Sequence, residues 1–419
     1  VSDPQASAST TLPANPSLRH LKDQARDLLR SGQALTLSEA LFYVARGYGY
    51  KSWPRLKSYV DSLGVIGELR SAIDSNDLPT IKRLMTRFPD LHQAPMGYAN
   101  NGPLTWVAEC RVPRVPPDQT RLAMAAWMIE NGSDVHQGGD GPLMRAALDD
   151  MRIPMMELLV RYGADVNALW NGSYPIICAP CETLAPQSLR WLMAHGADPR
   201  LVSKDYGTPL SMVVGTYSRN ARGKHACLEA FEEAGFLLPD TPVMALHRGR
   251  LDLLGSHLDR DPSLLSKQFS AVEIFPAEVG VDEGSGLTTT PLDGATLLHI
   301  AAEMQDLDVA KWLIDRGADV NARAAVDAEG FGGQTPLYHT VVVMGPKTAD
   351  MARLLLESGA DPNVHATFRK QLKDMGDPEK EQMRPFVDVT PVQYARQYQA
   401  PEFVNEAAVA LMKEYGAVE

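Results

Sequence analysis

An all-α solenoid of stacked helix pairs is the fold class that this 419-residue chain predicts. Three observations predict it. The tripeptide Gly-Ala/Ser-Asp recurs with its glycine at Gly132, Gly163, Gly196, Gly317 and Gly359. A second anchor, Thr/Gly-Pro-Leu, stands at Gly102, Gly141, Thr208 and Thr335, with looser copies at Tyr174, Thr241, Thr296 and Thr390. Successive gaps between these anchors are 39, 33, 34, 33, 55, 39 and 55 residues, a base period of 33 with two sizes of insertion. A period of that length marks a unit that cannot bury its apolar face alone and is completed by its neighbours.

Each element of the unit follows from local chemistry, most clearly in "ATLLHIAAEMQDLDVAKWLIDRGADVNAR" at 295–323. Thr caps the first helix, and Pro, where present, stands in its first turn, where a missing N–H costs nothing. Two alanines close that short helix and let neighbouring units approach. The second helix carries Val309, Trp312, Leu313 and Ile314 at helical spacing. Gly317 suits a left-handed cap, and Asp319 and Asn321 suit the turn into a hairpin finger.

This period, carrying Thr-Pro-Leu-His and Gly-Ala-Asp, resembles the ankyrin repeat in the form found in bacterial arrays. The resemblance is closest at 295–323, good at 141–169 and 335–364, looser at 102–137, 174–201 and 208–240, and weak at 241–262 and 390–419. A degenerate first copy falls at 66–92. The resemblance implies an array over 66–419 of about nine helix pairs with extended hairpin fingers. It also implies that 17–65, whose amphipathic stretches "SLRHLKDQARDLLRSG" and "TLSEALFYVARGYGYKSWPRLKSYVDSLG" predict three helices, is a helical cap on the first repeat. Thr36 or Ser38 caps the second of these, Gly47 and Gly49 end it, and Pro54 opens the third. Residues 1–16, rich in Ser, Ala and Pro, are expected to be a disordered lead-in.

Composition narrows the function. The net charge of −12 argues against a nucleic-acid binder, which needs a basic stripe. The apolar run "LAMAAWMI" at 122–129 is far short of a membrane span. Four cysteines fit a reducing compartment, so a cytoplasmic location is expected, with a removed leader compatible with Val1. There is no phosphate loop, no Gly-x-Ser-x-Gly and no His-Glu-x-x-His. "CAPC" at 178–181 reads as buried thiols, and neither a metal nor a cofactor is expected.

The insertions carry the remaining information. Turns between helices are lengthened at 110–120 and 216–224, and fingers at 92–101, 266–289, 324–333 and 365–389. Long fingers wall a groove, and Phe269, Val272, Ile274 and Phe275 are too apolar for a free loop. Aligned on the Thr-Pro anchor, Trp106, Arg145, Cys178 and His339 share one first-helix position. Glu109, Cys181 and Glu303 fall one turn along, with Glu182 next to them. Together with Tyr217 and Tyr338, these give the expected binding residues: Trp106, Glu109, Arg145, Glu182, Tyr217, Glu303, Tyr338 and His339, partly exposed on the concave face. Glu303 and His339, in adjacent repeats, are the pair that would carry acid–base work. His299 reads as the repeat's structural histidine, and His247 as a satisfied core residue or part of a pocket. Two functions fit: a scaffold that grips a protein partner in the groove, or an enzyme (a hydrolase or lyase) or small-molecule or glycan binder whose pocket the fingers wall.

Overall fold

The computed structural model describes residues 12–13, 16–96, 101–203, 205, 207–281, 288–372 and 382–418. Most of the expected lead-in and the tips of three of the fingers lie outside them. The chain divides into two compact units, Val1–Gln137 and Gly138–Glu419.

The first unit opens with α1 (Leu18–Arg30), α2 (Leu37–Gly47) and α3 (Trp53–Asp74). Thr36 caps α2 by accepting from the Glu39 N–H at 3.1 Å, and Pro54 stands in the first turn of α3. Their apolar faces make a core of their own from Leu21, Ala25, Ala34, Ala40, Val44, Ala45, Leu56 and Val60. The boundary expected at residue 65 does not exist as a break: α3 runs through it as one helix, past Gly64 and Gly67, neither of which takes the left-handed φ of a helix stop. Its second half packs on α4 (Leu78–Arg87), burying Leu69, Ile73, Ile81 and Leu84. The pair α5 (Pro103–Glu109) and α6 (Gln119–Glu130) follows.

The second unit repeats the helix pair. Successive pairs are Cys178–Thr183 with Pro186–Ala194, Pro209–Val214 with Ala221–Glu233, and Pro242–His247 with Leu251–Arg260. Leu297–Glu303 then pairs with Leu307–Asp315, Tyr338–Val341 with Asp350–Glu357, and Pro391–Gln397 with Glu406–Glu414. Thr208, Thr296 and Thr390 each form a capping box. Gly317 and Gly359 sit at φ 91° and 94°, the left-handed stop that a side chain would strain.

The Gly-Ala-Asp-x-Asn phrase recurs because it joins one repeat to the next. The Asp319 carboxylate accepts from the Asn321 N–H (2.8 Å) and fixes the turn. The Asn321 side chain donates to the Gly359 carbonyl (3.0 Å) and accepts from the Asp361 N–H (2.8 Å) of the following repeat. Asn167 does the same with Gly196 and Asp198, and Asn363 with Gly416 and Val418.

The unit is mostly helical rather than wholly so. Strands β1 (Leu169–Trp170) and β2 (Tyr174–Pro175) form one antiparallel hairpin, and β3 (Ala366–Leu372) and β4 (Gln382–Val389) another. The second is the long finger, with Phe368 opposite Phe386 and both rings buried against Tyr394. In the other long finger, Phe269, Ile274 and Phe275 dock as expected, while Val272 faces solvent on the outer side of a four-residue helix.

Candidate binding site and the buried clasp beside it

The expected site residues fall into separate groups. In the first unit, Trp106 on α5 donates from Nε1 to Asp74 at 2.9 Å, with the Arg70 guanidinium 4.7 Å from its ring. Glu109, one turn along, lies 4.0 Å from Arg111.

In the second unit, Arg145, Glu182 and Tyr217 belong to one half-buried row. The Glu182 carboxylate accepts from the Tyr217 hydroxyl at 2.6 Å and from the Tyr174 hydroxyl at 2.7 Å. Tyr174 meets Trp170 edge to face at 6.0 Å, and the Arg145 guanidinium lies 5.8 Å from the Trp170 ring. Burial, then the neighbouring Glu182 charge, pushes both phenols above their usual range, so each keeps its proton and donates. Trp170 and Tyr174 were missed in the sequence because they sit on the β1–β2 finger, outside the first helices.

The inserted turn at 216–224 positions Tyr217. The Thr216 hydroxyl donates to the Glu182 carbonyl at 3.1 Å and accepts from the Ser218 N–H at 3.0 Å. Asn220 then caps the helix Ala221–Glu233. Two residues beyond Tyr217, Arg219 points inward.

Arg219 leads to the second group, and here the structure corrects the sequence. Glu303, His339 and Tyr338 are not partly exposed: Glu303 and His339 are each 1% accessible and Tyr338 is fully buried. Glu303 and His339 do meet, at 2.7 Å between Oε2 and Nδ1. Arg219 Nη2 donates to the other carboxylate oxygen at 2.7 Å, as does the Thr289 N–H at 3.1 Å. The Thr289 hydroxyl also donates to the Val342 carbonyl (2.6 Å), pinning the end of the 266–289 finger over the pair. The Tyr338 hydroxyl lies between the carbonyls of Val364 (2.7 Å) and Val389, tying down the feet of the β3–β4 hairpin. The insertions that were expected to wall a groove have covered these side chains. Burial alone would raise the Glu303 carboxyl, but the Arg219 charge and the His339 hydrogen bond outweigh it and hold it below the carboxylate range. A buried charge is tolerable when paired and hydrogen-bonded on both oxygens.

Two histidines complete the cluster. His299 Nδ1 accepts from the Thr296 N–H (3.2 Å), so Nε2–H donates to the Gln334 carbonyl (2.9 Å) of the next repeat. Burial lowers it to about 3. His247 donates from Nε2 to the Ile274 carbonyl at 2.9 Å, leaving Nδ1 to accept from Lys224 Nζ at 2.9 Å. His247 is thus a satisfied core residue. Lys224, which the sequence reading passed over, is itself buried and also donates to the Val214 carbonyl at 2.9 Å. Burial and the Arg219 charge bring it down to about 7.

The four cysteines are free and buried; burial pushes Cys178 and Cys227 up to about 12, which makes them poor nucleophiles. Among the described residues no cluster of His, Cys, Asp or Glu could hold a metal ion, and no helix is long and apolar enough to cross a membrane. A cleft of about 320 Å³ lies among Arg222, His225, Glu229, Glu232, Arg248 and Arg250, none of them an expected site residue. His225 is paired there with Asp306 (2.8 Å) and Arg248 with Glu232 (2.5 Å).

Residues 265–366 match the ankyrin-repeat family in three copies. Similar curated proteins include the NF-kappa-B inhibitor cactus of Drosophila yakuba, 27% identical over 44% of this chain and 31% of that protein. The BTB/POZ domain and ankyrin repeat-containing protein NH5.1 of Oryza sativa subsp. japonica is 32% identical over 52% of this chain and 37% of its own length. A similarly described protein, BOP of Lupinus luteus, is 43% identical over 19% of this chain and 15% of its own. The chain thus spans about a third of the first two relatives. With that match, residues 265–366 carry ankyrin repeats, and His299 and Asn321 bond the repeat at 297–315 to the one at 338–357.

Proposed function

We propose that this chain is a protein-binding scaffold, and that the row Arg145, Trp170, Glu182 and Tyr217 contacts the partner. The helix pairs outside 265–366 are read as divergent copies of the same repeat, about nine in all. The observation that carries the proposal is the half-buried Glu182 carboxylate held between two tyrosine hydroxyls beside an Arg–Trp contact. Aromatic and arginine side chains dominate the energetics of protein interfaces. A carboxylate fixed by two donors is also already oriented before a partner arrives. The similarity to cactus, named as an inhibitor of another protein, and to repeat proteins that carry a BTB/POZ domain points the same way.

The alternative, an enzyme or a small-molecule or glycan binder, rests on a pocket formed by the long fingers and the groove residues; the burial of Glu303 and His339 speaks against them as its acid–base pair. The scaffold reading is tested by affinity purification from source-cell extract with the parent chain and with Arg145→Ala/Glu182→Gln/Tyr217→Phe. The triple variant is expected to melt like the parent and to lose a protein that the parent enriches. Identical partner sets for the two would overturn the assignment of the row. A metabolite that raises the parent's Tm while the extract yields no partner would revive the alternative.

A further inference from the structure

Glu182 is a half-buried carboxylate without a cation. Its two oxygens take hydrogen bonds from the Tyr174 and Tyr217 hydroxyls, one each. No ion pair joins it to another described residue. The row's own cation, Arg145, lies against the Trp170 ring at 5.8 Å and makes no ion pair with Glu182. Glu303, at the matching place in its repeat, has Arg219 at 2.7 Å. A carboxylate has about four acceptor positions, so Glu182 still has acceptor capacity to give.

The two groups that hold it add no donor. Each hydroxyl gives its hydrogen to the carboxylate and keeps only oxygen lone pairs. The Tyr217 and Trp170 rings are half-buried, and the face of an aromatic ring attracts cations. The carboxylate is also fixed in place: the Thr216 hydroxyl holds the Glu182 carbonyl at 3.1 Å, and the tyrosines hold the side chain. Oxygen lone pairs and ring faces around a negative charge repel phosphates and carboxylates and favour a positively charged donor.

The charge of the surrounding unit agrees. Residues 138–419 carry 25 Lys and Arg against 39 Asp and Glu, whereas residues 1–137 carry 15 against 13. The negative charge of the chain lies in the unit that holds Glu182, and such a field draws in basic partners.

We propose that Glu182, with the Tyr217 ring beside it, seats an arginine or lysine side chain from a basic segment of the partner protein. This rests on the reading of the row as a partner-binding surface and adds the chemistry of the group it takes. The incoming cation supplies Glu182 with the counter-charge that Arg219 supplies to Glu303.

The full chain is titrated with a short fluorescein-labelled peptide of arginines and lysines spaced by serines, read by anisotropy. Saturable binding is expected, weakened by salt. Glu182→Gln should weaken it about tenfold or more, the scale of a charge-assisted hydrogen bond. Glu357→Gln removes the same charge from an exposed carboxylate of the same unit and should leave binding within about twofold of the parent. Both variants should melt like the parent. The proposal is overturned by absence of saturable binding, by equal binding of the same peptide with glutamates in place of its cations, or by equal effects of the two variants. It is also overturned if free spermine displaces the peptide from Glu182 at lower concentration than the unlabelled peptide does, since the cation would then be a small polyamine. The two readings fail separately. An extract partner lost by the triple variant but kept by Glu182→Gln sinks the cation seat and leaves the row as an interface. Peptide binding that depends on Glu182, with identical extract partners for parent and triple variant, does the reverse.

Discussion

Glu182 and Glu303 occupy nearly the same place in their repeats, near the end of a first helix, and they have opposite fates. Glu182 stays half-buried at the surface, held by two tyrosines. Glu303 is sealed in, ion-paired to Arg219, hydrogen-bonded to His339 and covered by Thr289. The helices do not account for the difference; the inserted segments do. The turn after Val214 sends Tyr217 to Glu182 and, two residues on, Arg219 to Glu303. A carboxylate on a repeat helix is therefore a surface group or a core group according to what the neighbouring insertion lays over it.

The largest effect that would sharpen this contrast is Arg219→Ala. It leaves the Glu303 carboxylate buried without its cation and should cost about 3–5 kcal/mol of unfolding free energy by urea titration. A loss below about 1 kcal/mol would place Glu303 with Glu182 at the surface.

The pH dependence separates the buried groups. The Glu303 carboxyl is depressed in the folded protein, so the unfolded chain binds more protons as pH falls past its own carboxylate pKa, about 4.3. That contribution is present above this pH and lost as pH falls through the folded value. Lys224 sits near 7 when folded and near 10.4 when unfolded. Between these values the unfolded chain holds the extra proton, so stability should rise from pH 7 to 9. Lys224→Met should abolish that rise and leave the acid-side loss in place. An unchanged alkaline slope in the variant would assign it to another group.

His299→Ala should cost less, about 1–3 kcal/mol, since it removes a buried hydrogen bond to the Gln334 carbonyl, which keeps the Ala324 N–H as its other donor. Least of all, Glu182→Gln should shift the unfolding free energy by under about 1 kcal/mol, because it swaps one half-exposed acceptor for another. Its expected effect is on partner binding.

The repeat was legible because its residues act within their own unit or on the next one. Thr296 caps its own helix, His299 reaches one repeat on, and the spacing of 33 follows from stacking. The meeting of Glu303 with His339 was legible for the same reason. Its burial was not, because Arg219 comes from 84 residues away and no period connects a loop residue to a helix. The continuity of α3 through residue 65 was missed because a change of sequence style was read as a change of structure. Lys224 was passed over because a lysine in an amphipathic helix looks like a surface residue until Val214 and His247 are found around it.

The central claim is that Glu303 and His339 form an enclosed structural clasp. The most direct measurement is hydrogen–deuterium exchange at the ring C2 position of each histidine, followed by mass spectrometry of the native chain. His339 should exchange far more slowly than the exposed His195, because its ring is closed off by the Glu303 pair and the Thr289 finger. Exchange at His339 as fast as at His195 would mean that solvent reaches the pair, and the reading of Glu303 and His339 as an open site would return.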